Sequence, residues 1–130
     1  MSLASWKEES YPVPACEVQE EDALAHALRK FLGLTKKALR KHGLKRLDKW
    51  ILADDGAFQV DSDTCALCIF FGCGRSCPDC PLSIVRGGRR CDLKLAGERK
   101  PPYAAFIEDG DARPMISWLK RAIKAQERKP

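Results

Sequence analysis

The chain has 130 residues, 45% apolar and 32% charged, with a net charge of +5, the make-up of a single globular domain. No apolar run is long enough for a transmembrane helix, and the first residues, MSLASWKEESYPVP, lack the basic start and apolar stretch of a secretory signal. A cytoplasmic setting with reduced thiols is therefore expected, without a membrane partner.

Residues 1–18 read as an extended N-terminal arm containing Pro12 and Pro14, anchored to the body by Trp6, Tyr11 and Val13. A single domain over 19–130 follows. Leu24, Ala27, Leu28, Phe31 and Leu32 recur at helical spacing and predict a helix over 20–32. Glu20, Glu21 and Asp22 open it and Arg29 and Lys30 close it, an order that suits the helix dipole. Gly33 is its terminator. Thr35 is a good N-cap for a second helix over 36–42, ended by Gly43. A third helix is expected over 45–52, with Leu44, Leu47, Trp50 and Ile51 or Leu52 on one side. ADDG at 53–56 is a stop and turn, and AFQV after it suits a short strand.

Residues 65–103 hold six of the seven cysteines, four prolines and seven Lys/Arg, with little apolar material beyond CIFF and LSIV. A metal would supply the cross-link that apolar burial cannot. The last element is a helix over 113–127, with Met115, Ile116, Leu119 and Ile123 on one face, Asp111 as cap and Pro114 in its first turn. The expected fold is mainly α: about four helices packed around a cysteine-rich, metal-stapled loop region.

The cysteines are spaced Cys65-x2-Cys68-x4-Cys73-x3-Cys77-x2-Cys80-x10-Cys91. A Cys-x-x-Cys turn aims two thiolates at one ion at ~2.3 Å, and two such turns complete a tetrahedron. Cys65, Cys68, Cys77 and Cys80 form one candidate set, and Cys91 replacing Cys77 or Cys80 gives a roomier one. Structural zinc is the leading reading. Two zinc ions sharing six thiolates, as in fungal transcription factors, is a second. A third is an iron–sulfur cluster, since CALCIFFGCGRSCP approaches the ferredoxin run C-x2-C-x2-C-x3-C-P with x4 in place of the second x2. Some thiols serve only as small buried hydrophobes, Cys16 first among them. His26 and His42 read as helix-surface residues.

Charge alternates in blocks. Residues 1–26 carry six acids and one Lys, whereas 27–50 carry nine Lys/Arg and one Asp. Within the basic block, TKKALRKHGLKRLDKW faintly echoes a helix-turn-helix, but Arg40 replaces the small residue at the helix crossing and Gly43 comes one position early. A solvated basic face is the simpler reading. Lys36, Lys37, Arg40, Lys41, Lys45 and Arg46, with a second patch of Arg86, Arg89 and Arg90, are the candidate phosphate contacts. PPY at 101–103 reads as a chain turn that packs Tyr103 on the metal region.

The stretch LKRLDKW…TCALCIFFGC…CPDCPLSIVRGGRRC…PPYAAFIED resembles a family of small cysteine-rich proteins common in phage and prophage genomes. The shared pattern is a tryptophan-bearing helix, C-x-L-C, C-x-x-C-P, a later single cysteine and a PY. Trp50, Cys65, Leu67, Cys68, Cys77, Cys80, Pro81, Cys91, Pro102 and Tyr103 match it, over about residues 44–120. Cys73 falls outside the pattern, and the insertion DLKLAGERK after Cys91 departs from it. The resemblance implies a metal site and a bacterial host cytoplasm, not a mechanism.

No paired nucleophile and base and no glycine-rich phosphate loop is present, and a zinc held by four thiolates leaves no position open to substrate. The expectation is a non-enzymatic zinc-binding module that contacts nucleic acid and takes no small-molecule substrate. The alternatives are a protein-binding adaptor or inhibitor of a host factor, and an iron–sulfur electron-transfer or sensor protein.

Overall fold

The structure is a computed structural model that describes residues 2–60, 64–67, 80–87 and 94–127. Six α-helices and a three-stranded antiparallel sheet lie among them: α1 (Leu3–Ser10), α2 (Ala23–Leu32), α3 (Lys36–Lys41), β1 (Lys45–Leu47), β2 (Trp50–Ala53), β3 (Gly56–Gln59), α4 (Pro81–Val85), α5 (Pro102–Asp109) and α6 (Arg113–Glu127). The fold is mainly helical. Most of the expected metal-stapled loop lies outside the described residues.

The N-terminal arm is not extended. Ser2 and Ser5 form a reciprocal capping box: each side-chain oxygen accepts the other's backbone N–H at 3.0 Å. Asp55, far along the chain, accepts from the Leu3 and Ala4 N–H groups at 2.8 and 3.1 Å. Those two bonds satisfy orphan helix donors and hold the Asp55 carboxyl below its usual range. Leu3 and Trp6 point from α1 into the core. The Trp6 indole N–H donates to the Gly33 carbonyl at 2.7 Å. Its ring lies 4.9 Å from Phe58, which in turn lies 4.8 Å from Tyr11. Two of the three expected anchors are thus buried, and Val13 is exposed.

The expected helix over 20–32 begins as a 3-10 turn at Glu20–Asp22 and continues as α2. It buries Ala23, Leu24, Ala27 and Phe31. Gly33 ends it with a right-handed φ of −77°, so the glycine is there for space. A Cβ at Gly33 would overlap the Ser10 side chain and approach Trp6 Nε1 to 2.9 Å. Thr35 caps α3 as expected, its hydroxyl accepting the Ala38 N–H at 3.2 Å, and Gly43 turns the chain out at φ 69°.

The expected third helix is a β-hairpin. Leu47 pairs with Trp50 across a two-residue turn, and β2 then pairs with β3 across Asp54 and Asp55. Asp48, first in the turn between β1 and β2, sits at φ 54°, a left-handed position that aspartate tolerates. Ile51 and Phe58 oppose each other on the core side.

Residues 101–103 are not a turn either. Pro101 caps α5, Pro102 occupies its first turn, and Gly110 ends it at φ 70°. The Tyr103 hydroxyl donates to the Val60 carbonyl at 2.6 Å, tying α5 to the end of β3. The last helix, α6, has the expected bounds. Its Met115, Leu119 and Ala122 face is buried, and it packs on α2, α4 and α5. Phe31 and Phe106 meet edge to face at 5.9 Å, joining α2 to α5.

Candidate metal centre and basic face

Cys65 and Cys80 are the two described members of the cysteine cluster; Cys68, Cys73, Cys77 and Cys91 lie outside the described residues. Cys65 is half-buried and Cys80 buried. The residue before Cys65 is pinned on both sides. Thr64 donates its hydroxyl to the Gln59 carbonyl at 2.8 Å, and its own carbonyl accepts from Lys30 Nζ at 3.0 Å. That lysine is only 1% exposed, so its ammonium is committed to fixing the start of the cysteine segment rather than to solvent. Ala66 and Leu67 then enter the core. Cys80 stands at the head of α4, where its carbonyl accepts the Ile84 N–H at 3.0 Å and Pro81 sets the first turn.

Leu67, within the first Cys-x-x-Cys turn, and Pro81, directly after the second, line one cleft of about 370 Å³ with Glu20, Glu21, Leu24 and Gln126. The fold therefore brings the described ends of the two turns together. Among the described residues no group of three metal-ligating side chains is complete. Thiolates are the ligands that a soft ion such as zinc or iron takes.

The other cysteine and both histidines differ from expectation. Cys16 is exposed, not buried. His26 is half-buried against Tyr11, its Nε2 2.7 Å from the Val13 carbonyl, and burial holds its pKa below the usual histidine range. His42 is buried. Its Nδ1 lies 3.0 Å from Ser5 Oγ and its Nε2 2.9 Å from the Glu9 carboxylate. This serine–histidine–carboxylate line resembles a hydrolase triad in order only. The Ser5 hydroxyl is already engaged in the α1 cap, accepting from the Ser2 N–H and lying 2.9 Å from the Ser2 carbonyl. Lys41 also holds Glu9, at 3.1 Å, and with His42 keeps the Glu9 carboxyl below its usual range. The line is a tether between α1 and α3, and nothing in the sequence spacing announced it.

The basic residues divide sharply. Arg86 is fully buried, which removes it from any surface patch. Its guanidinium meets Glu98 in a two-pronged pair at 2.9 and 3.0 Å and packs 4.9 Å from the centre of the Trp118 ring, whose surroundings also include Arg121 at 4.6 Å. The Leu95 N–H donates to the same carboxylate at 2.7 Å. The Arg86 bonds hold the Glu98 carboxyl below its usual range, with the Leu95 N–H adding to them. This clamp joins the end of α4 to the insertion after Cys91. Arg89 and Arg90 lie outside the described residues.

In the first patch, Lys41 is paired with Glu9, and Arg46 donates to the Asp48 and Ile107 carbonyls at 3.2 and 2.7 Å. Lys36, Lys37 and Arg40 on α3 and Lys45 on β1 are exposed, and none is within ion-pair distance of a described carboxylate. Because α3 packs on β1, the four cations belong to one region of surface.

No known protein family, curated protein or solved structure matches the chain.

Proposed function

We propose that this chain is a small, non-enzymatic, zinc-stapled module, of phage or prophage type, that binds nucleic acid through the surface of α3 and β1. The observation that carries the binding is the set Lys36, Lys37, Arg40 and Lys45, exposed together with no described carboxylate at ion-pair distance, Lys36 acting only at longer range on the Asp111 carboxyl. Cations already neutralised within a fold release few counterions on meeting phosphate; unneutralised ones release about one each. Arg86 has no part in this interface, because it is buried against Glu98. The staple is four thiolates drawn from Cys65, Cys68, Cys73, Cys77, Cys80 and Cys91, supported by the shared cleft of Leu67 and Pro81.

Fluorescence anisotropy with a labelled DNA duplex tests the binding. Affinity is expected to fall steeply with salt, and Lys36→Ala, Lys37→Ala and Arg40→Ala together should lower the log–log slope by roughly 2–3. An absence of binding at low salt would sink the reading. Metal analysis and thiol titration of anaerobically purified protein test the staple. One zinc with two or three reactive thiols is the expected outcome, and a brown protein containing iron and sulfide would replace it with the cluster.

A further inference from the structure

The outer face of the sheet is apolar and aromatic where a sheet facing water is normally polar. The register places Lys45, Leu47, Trp50, Leu52, Ala57 and Gln59 on that face, since Lys45 opposes Leu52, Leu47 opposes Trp50, and Trp50 and Leu52 oppose Gln59 and Ala57. Leu47 is 60% exposed, Trp50 40% and Leu52 38%. These three form a shallow platform with an indole at its centre. The other two tryptophans are used internally: Trp6 is fully buried and Trp118 is packed against two guanidinium groups. Trp50 has no such structural employment among the described contacts.

We propose that this face is a stacking platform for single-stranded nucleic acid. The inference rests on the nucleic-acid reading above and names its substrate class. An exposed ring on a sheet can stack an unpaired base, whereas the bases of a duplex are already stacked on one another. Charge selects the occupant over an apolar peptide. Lys45 lies on the platform itself, Lys49 in the adjoining turn, and the cations of α3 beside β1, so a strand whose base covers Trp50 has its phosphates within a basic surround. The neighbouring acids Asp48 and Asp54 sit in the two turns at the ends of β2.

The test uses the full-length metal-loaded protein, with a labelled oligothymidylate of roughly 12 nucleotides, within the span such sites cover, and a duplex of the same length. The parent is expected to prefer the single strand, which quenches its tryptophan emission. Trp50→Ala should weaken oligothymidylate binding by about 10-fold or more while leaving duplex binding within about 2-fold, and Trp50→Phe, which keeps a π face, should recover most of the loss. Circular dichroism of both variants confirms that the exposed site tolerates the change. If Trp50→Ala binds the single strand as tightly as the parent, or the parent prefers duplex, the platform is overturned and the basic-face reading stands. If the parent binds neither at low salt, both fall.

Discussion

Trp6→Ala is expected to destabilise the protein by about 3–5 kcal/mol, the range for deleting a large buried aromatic. Trp6 is fully buried, its N–H is the donor to the Gly33 carbonyl, and its ring is packed against Phe58. The substitution opens a cavity where α1, α2 and β3 meet and strands that carbonyl. Urea denaturation followed by circular dichroism measures the loss, which is a large share of the stability of an ordinary domain. Trp6→Phe separates the two contributions: it keeps much of the ring but still removes the donor, so about 1–3 kcal/mol should go. Gly33→Ala attacks the same contact from the other side, because its methyl would collide with Ser10 and crowd the indole. A Trp6→Ala protein as stable as the parent would mean that α1 is not part of the core.

The second large effect is expected at the clamp. Glu98→Ala takes from the fully enclosed Arg86 guanidinium its two-pronged bond to this carboxylate, and losing charged hydrogen bonds of this kind costs about 1.5–3 kcal/mol. Arg86→Met, which removes the charge and keeps apolar bulk, should cost less, since the carboxylate it leaves is nearer solvent. The clamp also has a pH signature. Glu98 is held ionised below its usual carboxylate range, so its contribution is fully present above that range and is lost as pH falls through the depressed folded value. The gap in unfolding free energy between parent and Glu98→Ala should therefore be widest at neutral pH and narrow on acidification. A gap that stays constant into the acid would show that the carboxylate charge is not what holds Arg86.

The helices that could be read from the sequence are those whose apolar stripe and caps agree. In α2, the Leu24, Ala27 and Phe31 stripe is bounded by acids and Gly33; in α6, Met115 and Leu119 follow the Asp111 cap. The hairpin was illegible because Leu47, Trp50 and Ile51, with Leu44 just before them, satisfy a helical period while folding as strands. Leu47 and Trp50 in fact face solvent, and Ile51 alone of the β2 residues is fully buried. The telling signal was Asp48, a turn former between two short alternating runs. The first helix was hidden because its stability comes from Asp55 and from Phe58, contacts that no local window contains. At the candidate site, cysteine spacing singles out a segment but carries no information on which cations are consumed internally. Arg86 reads as one of a surface trio, and only Glu98 and Trp118, brought in by tertiary packing, show it to be enclosed.

The same remote capping of α1 has a consequence for the order in which the protein matures. A ribosome releases residues 3–10 before the Gly33 carbonyl, the Asp55 carboxylate and the Phe58 ring that hold them. An isolated eight-residue helix is marginal in water. Residues 3–10 must therefore wait, with their tryptophan uncovered, until the hairpin has emerged, and α1 docks as a late closing step of a long loop rather than as a seed for the rest.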